Sequence, residues 1–165
     1  MISESEILAY LDAHGIAYRR FEHAPVYTCA QAEEVWPGLE SAAAAASIKN
    51  LYLTAGPRQF LVVTACERRL NLRGLGRALG LRERMQFGAP GVLHAALGVT
   101  PGAVTLLALV NDPSGQVQLV IDQEVWQADA FLCHPLVNTA TLVIARADLL
   151  RFLSLTGHAP LVVAV

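Results

Sequence analysis

Apolar positions recur along the chain with two different spacings, and turn residues mark where one spacing gives way to the other. Ser3 and Glu6 have capping-box spacing, with Ile7, Leu8 and Leu11 on one helical face and Gly15 as the stop. Residues 16–21 alternate as a short strand. Thr28-Cys29-Ala30-Gln31 repeats the capping-box spacing and predicts a second helix ending before Pro37-Gly38. An alanine run over 42–46 leads into Ile48-Lys49-Asn50-Leu51-Tyr52-Leu53. Gly56-Pro57 separates this run from Phe60-Leu61-Val62-Val63-Thr64, which predicts a hairpin.

Downstream, Leu72, Leu75 and Leu79 share one face of a helix over 70–79 that Gly80 ends, and a shorter helix over 91–97 closes at Gly98. The runs 106–110 and 117–121 flank Asn111-Asp112-Pro113-Ser114-Gly115 and read as a second hairpin. A strand over 141–145, a helix over 147–155 stopped by Gly157, and an apolar segment over 161–165 complete the chain. No repeat and no Pro/Ser linker divides it. The expected architecture is therefore α+β, a single domain over 1–165 with a mixed, mainly antiparallel sheet packed with helices.

Composition narrows the functional classes. Across 165 residues, 54% are hydrophobic and 16% charged, which excludes disorder and supports a real core. No apolar run approaches the roughly 18 residues of a membrane span. The first residues are acidic, whereas a secretory signal opens basic, so a cytoplasmic location is expected. The net charge of −2 argues against a general nucleic-acid coat but not against contact with one end of an RNA. Arg68, Arg69, Arg73, Arg77, Arg82 and Arg84 fall in one segment, as a local positive patch or a solvated face. Cys29, Cys66 and Cys133 are odd in number and widely spaced, so buried small hydrophobes are expected rather than a disulfide or a zinc site. His23, His94, His134 and His158 form no His-x-x-x-His pair, and no structural metal is expected.

The familiar catalytic signatures are missing. There is no Gly-x-Ser-x-Gly, no phosphate-binding glycine loop with its lysine, no His-Glu-x-x-His and no Cys-x-x-Cys. Chemistry then rests on isolated polar residues. Lys49, the only lysine, opens a probable core strand beside Asn50; it reads either as an anion or oxyanion partner or as an edge-protecting charge. The turn Gly98-Val99-Thr100-Pro101-Gly102-Ala103-Val104 could gather backbone N–H groups or simply connect two elements. His134, Asn138, Thr139 and Thr141 cluster before a strand, as a proton-handling or substrate-orienting group or as a capped turn. Thr28 serves as a helix cap in either case.

These segments in this order carry a resemblance. His23-Ala24-Pro25-Val26-Tyr27-Thr28, Lys49-Asn50-Leu51-Tyr52-Leu53, Arg69-Leu70-Asn71-Leu72 and Leu97 to Thr105 come first; Val110-Asn111-Asp112, His134-Pro135, Asn138-Thr139-Ala140-Thr141 and Asp148-Leu149-Leu150 follow. Across nearly its whole length the chain resembles the free-standing prolyl-tRNA editing proteins of the YbaK/ProX type. They are related to the editing domain of bacterial prolyl-tRNA synthetases. The resemblance implies a YbaK-like fold and hydrolysis of the ester joining an amino acid to the 3′ adenosine of a transfer RNA, without metal, cofactor or covalent nucleophile. The branch acting on alanyl-tRNA for proline looks closest. It implies a functional role for Lys49 and for the backbone of Gly102, with Thr28, Asn50, Ala103, Val104, His134, Asn138 and Thr141 around the substrate. The implied partners are the acceptor end of proline tRNA and, as a further candidate, prolyl-tRNA synthetase; neither a membrane nor DNA is implied.

Two segments depart from the family pattern. Leu106 stands where the family's Gly-x-x-x-Pro loop ends in proline, and Arg68-Arg69-Leu70-Asn71 replaces Lys-Arg-Leu-Asp. Proline would fix φ and remove a donor, so the leucine alters a constraint on the loop. The alternatives to alanyl-tRNA are cysteinyl-tRNA for proline, a non-catalytic relative that binds transfer RNA or a synthetase, and a small-molecule binding module.

Overall fold

The computed structural model describes residues 1–35 and 45–165. Ser3 caps helix α1 (Glu4–Ala13): its hydroxyl accepts from the Glu6 N–H, and the Glu6 carboxylate accepts from the Ser3 N–H at 2.7 Å. The box fixes the phase that drives Ile7 and Leu11 fully into the core. Strand β1 (Arg19–Glu22) starts later in the chain than the alternation suggests. Helix α2 (Cys29–Val35) starts where expected, with the Thr28 hydroxyl accepting from the Gln31 N–H at 3.2 Å. Its expected stop at Pro37-Gly38, and residues 42–44 of the alanine run, lie outside the described residues.

Ala45–Ala46 forms β2, and the expected first hairpin is present as β3 (Ile48–Ala55) and β4 (Arg58–Ala65), paired antiparallel with Lys49 opposite Thr64. Next come α3 (Leu72–Ala78), the short β5 (Gln86–Phe87), and α4 (Pro90–Leu97), which ends at Gly98 in the left-handed region. A 3₁₀ segment (Leu106–Asn111) leads to β6 (Val117–Asp122), the short α5 (Gln123–Trp126), β7 (Ala130–Cys133), β8 (Ala140–Ala145), α6 (Arg146–Thr156) and β9 (Leu161–Val163).

The fold is α+β, but the strands divide between two mixed sheets. One has the order β1-β8-β7-β2, the other β5-β3-β4-β6-β9. Pairs β4–β6, β6–β9 and β2–β7 are parallel; the remaining pairs are antiparallel. The second hairpin expected over 106–121 does not form. Leu106, Leu107, Ala108 and Leu109 are all fully buried as a 3₁₀ turn started by Thr105, whose hydroxyl accepts from the Leu107 N–H. An apolar run buried on every side has no period to distinguish strand from helix, and β6 finds its partners in distant strands instead.

The major core lies between the sheets. Leu61 and Val63 of β4 enter it with Leu119 and Ile121 of β6, Phe131 of β7 and Ile144 of β8. The opposite face of the five-stranded sheet carries Phe60, Val62 and Val120 beneath Leu75 of α3. Strand β4 is thus buried on both faces, which explains its unbroken run of apolar residues.

The cysteines require a correction. Cys133 is buried and free, as expected, but Cys29 and Cys66 form a disulfide that ties α2 to the end of β4. Wide spacing gave no hint of it, because the fold alone brings the two Cα atoms to 5.6 Å. Closing a loop with a sequence separation of 37 stabilises by about 4 kcal/mol in a chain-entropy treatment. Burial pushes the Cys133 thiol up to about 12. Ellman's reagent is therefore expected to find no reactive thiol in the native protein and a single one after denaturation without reductant; three would exclude the bridge.

A second long-range tie closes the loop before β6. The buried Asp112 carboxylate accepts from the Val117 N–H at 2.7 Å, from the Ser114 hydroxyl at 3.0 Å and contacts His158 Nε2 at 3.2 Å. Burial alone would raise its pKa, but the hydrogen bonds from Val117, His158, Gln116 and Ser114 together outweigh it and hold the carboxyl below its usual value. The stabilisation is therefore present above the ordinary aspartate range, near about 3.9, and is lost as pH falls through the lower folded-state value. Asp112→Asn should cost about 1–3 kcal/mol at pH 7. Urea midpoints of the two proteins should converge in acid, and a pH-independent gap would show that the charge is irrelevant.

Candidate active site

Strand β3 pairs with β4 along its whole length, but β5 covers its other edge only at Leu53 and Thr54. The Gly88 N–H donates to the Tyr52 carbonyl on that side at 3.0 Å. Strand periodicity then turns the backbone polar groups of Asn50 the same way, past the end of β5. A cleft of about 500 Å³ lies here. Its walls come from β3, from residues 26–29 at the start of α2, from the 101–104 turn, and from Leu132, His134 and Thr141 of the other sheet.

Seven of the nine residues singled out from the sequence line this one cleft: Thr28, Lys49, Asn50, Gly102, Val104, His134 and Thr141. Ala103 and Asn138 do not, and each has a structural task instead. The Ala103 N–H donates to the Thr100 carbonyl at 3.0 Å, closing a turn with Pro101 and Gly102 at its centre. Gly102 has φ 92°, as the third position of a Pro-Gly turn of type II requires. That hydrogen bond consumes the Ala103 donor and leaves the Gly102 N–H outside the turn. Asn138 clamps the Val26 segment: its Nδ2 donates to the Val26 carbonyl, and its own carbonyl accepts from the Val26 N–H. It positions Tyr27 and Thr28 from behind.

Lys49 is half-buried, and its ammonium donates to the Arg68 carbonyl. That carbonyl is itself held in place. The Arg68 guanidinium meets the buried Asp122 carboxylate at 3.1 Å and also pairs with Glu124, while Thr64, opposite Lys49, donates to Asp122 at 3.2 Å. Arg68 thus serves the protein's own architecture, whereas Arg69, Arg73, Arg77, Arg82 and Arg84 are exposed. Asn50 Oδ1 is buried without a hydrogen-bond partner. A buried acceptor left unpaired is costly, and this one lies where a bound donor could satisfy it.

His134 Nδ1 donates to the Ala140 carbonyl at 3.0 Å, which leaves Nε2 as the second nitrogen of a ring lining the cleft. Burial, with a smaller contribution from nearby His23, lowers its pKa against the opposing pull of the Ala140 carbonyl. At neutral pH the ring is uncharged and Nε2 is an acceptor. The His23 ring lies 6.2 Å away between centroids, with Nε2 2.8 Å from the Thr141 hydroxyl. Cleft residues that the sequence did not single out include Cys29 and Cys66, whose disulfide forms part of the wall, as well as Tyr27, Tyr52 and Phe87. Among the described residues, no group of three His, Cys, Asp or Glu side chains is placed to hold a metal ion.

The arrangement offers one cation, an orphaned amide oxygen, a neutral imidazole and a turn N–H around a partly apolar hollow. Such a set can hold a small polar group and stabilise negative charge that develops on it.

Known proteins give the same direction. The model of the aminoacyl-tRNA editing domain matches residues 23–152. The prolyl-tRNA editing protein ProX of Acetoanaerobium sticklandii is 29% identical, covering 96% of this chain and 94% of its own length. The prolyl-tRNA synthetase associated domain-containing protein 1 of Danio rerio is 35% identical, covering 96% of this chain and 85% of its own. Among solved structures, a candidate trans-editing enzyme for prolyl-tRNA synthetase superposes with a TM-score of 0.69 at 16% identity, covering 99% of this chain and 97% of the other. That last likeness speaks for the fold alone. By the match of the family model to 23–152 and the identity to the zebrafish relative, the chain belongs to the aminoacyl-tRNA editing family, prolyl-tRNA editing type.

Proposed function

We propose that the chain is a trans-acting deacylase that hydrolyses alanine from mischarged proline tRNA, with water as the nucleophile. What carries the reading is the meeting of Lys49, Asn50, Gly102 and His134 around one cleft in a chain of the editing family.

An aminoacyl ester is already activated, so positioning and stabilisation of the oxyanion suffice to accelerate its hydrolysis. The Lys49 ammonium supplies positive charge for the terminal phosphate and ribose region or for the carbonyl oxygen as negative charge develops there. The Gly102 N–H, outside its turn's hydrogen bond, is the donor for the aminoacyl carbonyl. Asn50 Oδ1 takes a donor from the substrate, either its ammonium or a ribose hydroxyl. His134 Nε2, an acceptor at neutral pH, orients the ribose. A ribose hydroxyl or backbone carbonyl aligns the water, so no strong protein base is required. The substrate implies a cytoplasmic location; no described helix is long and apolar enough to cross a membrane.

Selection follows from size. Tyr52, Leu93, Val104 and Leu132 contribute apolar wall, and extra bulk in a filled pocket is costly. A second reading, a non-catalytic partner of tRNA or of the synthetase, draws on the zebrafish relative's name as a synthetase-associated domain protein and on Leu106, which is buried where the family carries proline.

Charged tRNAs distinguish these readings. Wild-type protein should release alanine from alanyl-tRNA for proline faster than cysteine or serine from the corresponding species. Binding without turnover would support the non-catalytic alternative. Lys49→Ala should reduce deacylation by about 10²–10³-fold, the scale seen when one oxyanion donor is lost; full activity would remove Lys49 from the chemistry. Cognate prolyl-tRNA should survive the same incubation, and its rapid loss would contradict exclusion by size.

A further inference from the structure

Two large aromatic rings stand in solvent among the described residues, Tyr27 at 67% exposure and Phe87 at 64%. Both line the candidate active-site cleft; every other described aromatic residue is buried or half-buried. Exposed apolar rings gathered at one cleft are a binding feature more often than an accident of packing.

Neither ring sits on a loose segment. Tyr27 immediately precedes the Thr28 cap, and its N–H donates to Gln31 Oε1 of α2 at 2.8 Å. Its ring lies over the Pro-Gly turn so closely that a Cβ at Gly102 would come within 3.1 Å of it. Phe87 belongs to β5, opposite Leu53 of β3. The following residue, Gly88, is pressed against the Tyr52 ring, where a Cβ would come within 2.3 Å. The two rings are therefore presented by fixed backbone in the lining of the cleft that also holds Lys49.

The chemistry around them selects the occupant. A purely apolar ligand would leave the Lys49 ammonium and the unpaired Asn50 oxygen unanswered. Exposed Arg82 and Arg84 precede β5, close in the chain to Phe87. Flat rings beside cations match unpaired nucleotides, whose bases stack while their phosphates meet positive charge. We propose that Tyr27 and Phe87 form a stacking platform for the unpaired 3′-terminal bases of an RNA whose aminoacyl end enters the cleft. The platform rests on the reading of this cleft as an aminoacyl-RNA site. It assigns these rings to holding the strand, separate from the residues that act on the ester.

The test uses an uncharged RNA hairpin with a single-stranded CCA tail and the same hairpin without the tail, each followed by fluorescence anisotropy. Wild-type protein should prefer the tailed hairpin. Tyr27→Leu and Phe87→Leu should each weaken tailed binding by roughly 5- to 150-fold, the range for loss of one base stack, while Tyr27→Phe and Phe87→Tyr retain it. Equal affinity of both leucine variants and wild type, or no preference of wild type for the tail, overturns the platform. The same proteins are then assayed on charged tRNA. A rise in KM with little change in kcat for the leucine variants supports stacking, and an unchanged KM overturns it while leaving the hydrolase reading intact. Ring-dependent binding of the tail with no hydrolysis of any charged tRNA would do the reverse. Since both rings are exposed, thermal midpoints near wild type are expected, and two separate positions keep the test independent of either one's folding.

Discussion

An incompletely paired strand edge governs the site. Side chains at consecutive strand positions point to opposite faces, so Lys49 and Asn50 could not share a pocket above a fully covered strand. They share one because β3 is closed by β4 on one side and by only two residues of β5 on the other. The cleft lies along the open edge rather than over a face. Strand edges invite unwanted pairing; here the start of α2, the 101–104 turn and the second sheet stand around the edge and turn it into a bounded hollow.

The surroundings of that edge are held by ties that are long in sequence. The Cys29–Cys66 disulfide fixes α2 to the end of β4, Asn138 fixes the Val26 segment to the loop before β8, and Tyr27 lies against Gly102. All three hold the 26–29 wall, tying it to β4, to the loop before β8 and to the 101–104 turn. The disulfide is the unusual one for the cytoplasmic deacylase proposed above, because reducing compartments disfavour such bonds. Cys66 also donates its N–H to the Ser47 carbonyl, so this wall keeps a backbone connection whatever the state of the sulfurs.

Charge is organised in the same economical way. The molecule as a whole is slightly acidic, yet a single lysine is brought to the cleft and its ammonium is fixed by the Arg68 carbonyl. Behind it, Thr64, Asp122 and Arg68 satisfy one another where an unpaired carboxylate would be expensive. The cationic group is thereby placed by a network around the buried Asp122, while an acceptor lining the cleft, Asn50 Oδ1, is left unpaired. The ester proposed as substrate carries donors that would answer that unpaired acceptor.

The sequence by itself determined the features whose physics is local. Ser3–Glu6, Thr28–Gln31 and Gly98 mark helix ends within a few residues, and the turn at 56–57 sets the register that places Lys49 opposite Thr64. Ordered motifs from His23 to Asp148 also carried the family, and seven of nine candidate residues meet in the cleft because those motifs mark its walls. Only the tertiary structure decided the rest. The apolar run 106–109, buried on all sides, has no period to separate a 3₁₀ turn from a strand, and the parallel partners of β6 lie far away in sequence. The pairing of Cys29 with Cys66, the diversion of Asn138 and Ala103 to structural bonds, and the exposure of Tyr27 and Phe87 depend on which distant segments become neighbours. Caps and tight turns are encoded by adjacent residues, whereas a strand edge left open is defined by what the whole chain does not place beside it.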